Sequence, residues 1–196
     1  MKKIFLLFTI LIVSVMTTAC INNLAVQELN SKAVKYMDNG DSKTAICRLK
    51  SSLDLDNEIY QTHYNLAVAY NNVGQYEEAI VELNKVLELK PDFYDAIYTL
   101  AVAKEAIAFK IIENDNEDED TVKKYTKDEI TEFNNKASEV IELYNQYLSK
   151  KVNAKESDVI NTRISDINSK IKQFSEEYAT LEEESQKNNE SGEVNE

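Results

Sequence analysis

Residues 60–93 read YQTHYNLAVAYNNVGQYEEAIVELNKVLELKPDF. Apolar or small residues stand at Leu66, Ala67, Ala69 and Tyr70, then again at Ala79, Ile80, Leu83, Val86 and Leu87, with Gly74 between the two groups. That is helical spacing on both sides of one glycine, which predicts two amphipathic helices joined by a tight turn. Ala67 and Ala79 let the helices approach closely, while Tyr70 and Leu83 fill the volume beside them. Pro91 ends the second helix, because proline lacks a backbone donor and clashes with the preceding turn.

A shift of 34 residues lays this stretch on the one before it. Gly74 falls on Gly40, Ala67 on Ala33, Tyr70 on Tyr36, Ala79 on Ala45, Leu83 on Leu49, Leu87 on Leu53 and Leu89 on Leu55. The chain has 3 glycines, and two of them coincide under the shift. This period and pattern resemble the tetratricopeptide repeat (TPR), a helix-turn-helix unit that stacks into a superhelix. The resemblance covers residues 60–93 and, with Asn57 in place of the terminal proline, 26–59. A third copy begins with Ile97, Leu100 and Ala101 in register but has no glycine turn. The expected fold is therefore all-α: a right-handed superhelical solenoid of about three such units, the third (94–151) lengthened, plus a C-terminal capping helix.

In that third unit one helix runs from Tyr94 to about Ile112 and is followed by ENDNEDED, residues 113–120, which is too charged to pack. Thr126 and Glu129 have capping-box spacing and predict the start of the next helix. The two lengthened helices are expected to project as a hairpin with an acidic tip. The tip lacks the glycine and the in-register bidentate acid of a calcium-binding hand, so it reads as a solvated loop and no metal site is expected. A last helix over 153–182 carries Ile160, Ile164, Ile167, Ile171, Phe174, Tyr178 and Leu181 at heptad steps. Two uses fit this seam: an intermolecular coiled coil, or a cap over the last repeat, which a solenoid needs because each unit buries its core only against neighbours. The flanking charges form no complementary set, which favours the cap. Residues 183–196 are polar and acidic and read as a disordered tail.

The N-terminus adds a destination. Lys2 and Lys3 precede an apolar run from Ile4 to Met16, shorter than the about 20 residues that span a bilayer and laid out as a secretory leader. Thr18, Ala19 and Cys20 follow, resembling a bacterial lipoprotein cleavage box with Thr17 where leucine is usual. An ordinary leader cut near Ala19 is the alternative. The resemblance implies removal of 1–19 and a diacylglyceryl group on Cys20, with 20–23 as a short spacer. Two acyl chains anchor stably where one does not. Cys47 would then be the only thiol, a small filler on a helix, and an internal disulfide would be impossible.

With 22 basic and 35 acidic residues the chain carries a net charge of −13, which argues against nucleic acid as a partner. His63 is the only histidine, too little for a metal site or a Ser/His/Asp arrangement. No sheltered carboxylate pair or phosphate loop is marked, so neither catalysis nor a cofactor is expected. What remains is a binding surface. The family resemblance implies a concave groove lined by Gln27, Asn30, Val34, Met37 and Asp38 in the first unit. Gln61, Tyr64, Val68, Asn71 and Asn72 line it in the second, and Asp95, Tyr98, Val102 and Glu105 in the third. Tyrosines and amides there can hold a peptide by stacking and hydrogen bonding. No basic residue occupies these places, so a ligand's terminal carboxylate is not the expected handle. The expected protein is a lipid-anchored, extracytoplasmic scaffold that binds another envelope protein, resembling accessory factors of envelope assembly or secretion. Self-association through the 160–181 seam is the alternative.

Overall fold

The computed structural model describes residues 23–113, 125–150 and 154–192, and the helices among them are seven. Helix α1 covers 23–38. It is followed by α2 (Ser42–Leu55), α3 (Tyr60–Asn72), α4 (Tyr76–Leu89), α5 (Tyr94–Ile112), α6 (Lys127–Leu148) and α7 (Ala154–Gly192). The described residues contain no strand. The chain divides into two compact units, one through Ala96 and one from Ile97 onward.

In the first unit α3 packs against both α2 and α4. The alanines predicted to permit close approach, Ala33, Ala45, Ala67 and Ala79, are all fully buried, as are Leu49 and Leu83. Both glycine turns have one geometry. Gly40 has φ 80° and Gly74 has φ 75°, the left-handed region that a Cβ disfavours. Around Gly40, the amide of Asp41 reaches the Tyr36 carbonyl (2.8 Å) and that of Gly40 the Met37 carbonyl (2.9 Å). Around Gly74, Gln75 reaches Tyr70 (3.0 Å) and Gly74 reaches Asn71 (3.1 Å). These paired bonds are the Schellman ending, which satisfies the last carbonyls of a helix. Asp41 then caps α2 by accepting from the Thr44 amide. A Cβ at residue 74 would meet nothing within 4 Å, so a substitution there strains only the backbone. Gly74→Ala is accordingly expected to lower stability by about 1 kcal/mol and Gly74→Asn by less, measured as shifts in the urea midpoint.

In the second unit the lengthened helices are present, and the capping box forms: Glu129 donates its amide to Thr126 Oγ1 (3.2 Å) while its carboxylate accepts from the Thr126 amide (2.8 Å). A third helix covers the pair. Helix α7 packs on α6, and Ile160, Ile167 and Phe174 of its seam join Phe133, Val140 and Tyr144 of α6 and Ala101 and Ala108 of α5 in one core. Edge-on aromatic contacts run Phe109–Phe133 (5.8 Å), Phe133–Phe174 (5.3 Å) and Phe174–Tyr125 (4.8 Å). The heptad seam is thus taken up within the chain, which removes it as a coiled-coil surface. Residues 183–192, expected to be disordered, continue α7 to Gly192. They are rich in Glu, Gln, Lys and Asn and hold no proline, so nothing breaks a helix already nucleated upstream. The acidic tip beyond Glu113, Cys20 and the leader lie outside the described residues.

Candidate functional site

The first turns of α1 and α3 and the residue before α3 enclose an open cavity of about 370 Å³, lined by Asn23, Val26, Gln27, Asn30, Ile59, Gln61 and Asn65. Five of these seven are carboxamides, and none carries a charge. They follow helical spacing, Asn23, Gln27 and Asn30 on α1 and Gln61 and Asn65 on α3, so each set projects from one side of its helix.

Asn30 ties the floor together. Its Nδ2 lies within hydrogen-bond reach of the Ser52 hydroxyl (2.9 Å), the Thr62 hydroxyl (2.9 Å) and the Val26 carbonyl (3.0 Å), and its Oδ1 accepts from Asn65 Nδ2 (3.2 Å). Ser52 and Thr62 are fully buried, so these bonds satisfy groups that would otherwise be costly to shield from water. An amide nitrogen has only two hydrogens for three acceptors, and the network therefore shares them. At the rim, Gln27 Nε2 donates to Asn23 Oδ1 (2.7 Å).

The register-predicted residues divide among several roles. Gln27, Asn30 and Gln61 line the cavity. Tyr64 is half-buried and meets Phe93 edge-on at 4.9 Å. Phe93 also meets Tyr60 at 5.1 Å, and Lys90 sits 4.6 Å over the Tyr60 ring. Asn71 is half-buried, its carboxamide oxygen without a hydrogen-bond partner. Asn72 is exposed and donates to Ser42 Oγ (3.2 Å). Val34, Asp38 and Asp95 are exposed, and Met37 and Val68 half-buried.

Tyr98, Val102 and Glu105 belong to the second unit and pack on their own chain. Tyr98 lies 5.3 Å from the Tyr147 ring and 6.0 Å from Tyr144. Val102 covers the core there. The Glu105 carboxylate accepts from the Tyr144 hydroxyl and from Arg163 Nη1 (2.7 Å). Burial, then the Glu105 carboxylate beside it, holds the Tyr144 phenol well above its ordinary pKa, so it stays a donor. Register reasoning missed Asn23, Val26, Ile59 and Asn65; the four-residue steps from Asn23 to Gln27 and from Gln61 to Asn65 are the signal that marks them.

His63 serves the fold. It is buried, with Nδ1 2.6 Å from Glu82 Oε2 and Nε2 2.9 Å from the Asn57 carbonyl. Each nitrogen faces an acceptor, and although burial lowers the ring's pKa, the hydrogen bonds to Glu82 and the Asn57 carbonyl outweigh it and raise the pKa above its ordinary value, which favours the cation. Among the described residues no group of three His, Cys, Asp or Glu side chains is placed to hold a metal ion. Among them, too, no helix is long and apolar enough to cross a membrane.

The family profile described as "Tetratricopeptide repeat" matches residues 60–93. Among solved structures the chain is similar to MamA, at 19% identity and TM-score 0.52, over 83% of this chain and 81% of that one. It is similar to the type III secretion translocator chaperone SycD of Yersinia enterocolitica, at 16% identity and TM-score 0.51, over 74% and 84%. The second TPR domain of the human RPAP3 protein, in complex with the HSP70 peptide SGPTIEEVD, matches at 15% identity and TM-score 0.50, over 75% and 98%. At these identities the likeness is one of fold. None of the curated proteins matches the chain in sequence.

Proposed function

We propose that the chain, which carries a tetratricopeptide repeat over residues 60–93, is a protein-interaction scaffold that captures a peptide segment of an envelope protein. Its tether is a lipid on Cys20, on the extracytoplasmic side of a bacterial membrane. The observation that carries the reading is the carboxamide-lined cavity between α1 and α3. An extended peptide presents alternating N–H and C=O groups, and a carboxamide supplies a donor and an acceptor to match them. Val26 and Ile59 add an apolar surface for a side chain. The peptide held by the human RPAP3 domain supports a peptide as the ligand class.

Anchoring draws its support from the sequence: Lys2 and Lys3, the short apolar run, and Cys20 directly after Thr18 and Ala19. A cavity that begins at Asn23 would then sit three residues from the lipid. Confinement beside the bilayer raises the effective concentration for a membrane-borne partner, so modest affinity suffices.

The test is photocrosslinking in intact cells from position 61, an exposed cavity residue, with a Cys20→Ala version of the same protein as the second arm. One dominant envelope partner, sharply reduced by Cys20→Ala, is the expected result. A partner insensitive to Cys20→Ala would remove the anchoring step, and crosslinks only between copies of the chain would replace capture by self-association.

A further inference from the structure

We infer that His63 is a proton-operated latch on the wall of the cavity: the cationic ring fixes residues 56–59 against α3 and keeps the cavity shaped for a segment, and loss of its proton frees that wall and weakens capture. This rests on the peptide-capture reading above and adds its regulation.

The wall is a short loop with few attachments. Ile59, which lines the cavity, is reached from α2 through Asp56, Asn57 and Glu58, all exposed. The Asp56 amide donates to the Ser52 carbonyl of α2 (3.1 Å), and the Asp56 carboxylate accepts from the Glu58 amide (3.0 Å) within the loop itself. The Asn57 carbonyl accepts from His63 Nε2 (2.9 Å), while Nδ1 of the same ring donates to Glu82 Oε2 (2.6 Å) on α4. His63 therefore ties the middle of an exposed loop to the buried α3–α4 contact. The same turn of α3 carries the cavity floor, since the Thr62 amide donates to the Ile59 carbonyl (3.0 Å) and its hydroxyl meets Asn30 (2.9 Å).

Only the cation can make both ring bonds at once, because a neutral imidazole has a single N–H. The proton that remains stays on Nδ1, where the carboxylate is the stronger acceptor. Nε2 then turns a lone pair on the Asn57 carbonyl, leaving two acceptors 2.9 Å apart beside a buried ring. That arrangement is costly, and the loop relieves it by carrying the carbonyl out to water, which the exposure of Asn57 allows. The charged groups that act on the ring are Glu82 and Lys85 of α4 and, through Glu82, Lys50 of α2. Burial opposes the charge, but the bonds to Glu82 and Asn57, with the Glu82 charge, raise the pKa above the ordinary 6.5. The latch is thus closed below the titration and opens as pH rises through it. Outside the cytoplasmic membrane, the side proposed above, pH follows the medium.

The test compares the full chain in detergent micelles with His63→Gln, which cannot titrate, and with Glu82→Gln. The first readout is relaxation of the Ile59 methyl resonance by a neutral, soluble nitroxide, with the buried Ile97 as reference. It is expected to rise with pH at the midpoint of the His63 ring-proton titration, to stay level in His63→Gln and to move to lower pH in Glu82→Gln. Should His63→Gln fail to fold, the displaced midpoint in Glu82→Gln decides. An Ile59 signal that stays level while His63 titrates, or a midpoint that does not follow it, would overturn the latch. The second readout is the partner crosslink from position 61 in intact cells, expected to fall roughly fivefold between medium at about pH 6 and at about pH 8.5, because a proton and a ligand that share one conformation are linked. A yield that does not change with pH would overturn the latch and leave peptide capture standing. No partner at either pH would overturn both.

Discussion

Phe133→Ala is expected to destabilise the second unit by about 3–5 kcal/mol. Phe133 is fully buried on α6, with Phe109 of α5 on one side and Phe174 of α7 on the other. Truncation removes the transfer energy of the ring and leaves a cavity that three helices must collapse around. It also deletes two edge-on aromatic contacts, each contributing about 0.5–1.5 kcal/mol beyond area burial. Phe133→Leu keeps most of the volume and is expected to lose well under half as much. Urea unfolding followed by far-ultraviolet circular dichroism makes the comparison. An alanine variant within about 1 kcal/mol of the parent would mean that this core closes over the gap, contrary to packing at native density.

The same ring shows where sequence reading stops. The repeat was legible because its constraints are local: a glycine with positive φ, alanines at helix crossings and a period of 34. The capping box was legible for the same reason, since Thr126 and Glu129 are neighbours. The heptad seam gave the helix and its apolar face, while the choice of partner came from the flanking charges, whose lack of a complementary set favoured the cap, because spacing is identical whether Ile160, Ile167 and Phe174 meet α6 or another chain. Glu105 fell on the expected groove by register, yet Arg163 and Tyr144, 58 and 39 residues away, engage it. Periodicity carries no information on pairs at that separation. For the cavity, register supplied Gln27, Asn30 and Gln61, one member at least from each helix. Asn23 and Asn65 complete it because helices place residues four apart on one side, a rule that needs no family pattern. The tail failed in the opposite direction: composition poor in apolar residues reads as disorder, whereas residues 183–192 inherit a helix begun far upstream.

The second large effect is a reversal of pH dependence between the parent and Glu82→Gln. Burial opposes charge on His63, but the hydrogen bonds to Glu82 and to the Asn57 carbonyl, with the Glu82 charge, outweigh it, and the pKa is raised above its ordinary 6.5. The other charged groups nearby are Lys85 on α4, which opposes the cation, and Lys50 on α2, which interacts with Glu82. A group whose folded pKa exceeds its unfolded value stabilises fully below the unfolded pKa and loses that contribution as pH rises through the folded one. The parent is therefore expected to lose stability on going from about pH 6 upward through the His63 titration. Glu82→Gln keeps a hydrogen-bonding partner but removes the charge, so burial and Lys85 dominate and the folded pKa falls below the unfolded value. Its stability is then expected to rise across the same window, because the neutral ring is the form the fold prefers. Thermal midpoints from pH 5.5 to 8.5 give the two slopes. With a single histidine in the chain, its proton resonance titrates without overlap and reports the folded pKa directly. A parent midpoint at or below 6.5, or equal slopes in the two proteins, would show that Glu82 does not hold the charge. Opposite slopes would make His63 an ion-pairing element of the α3–α4 pair.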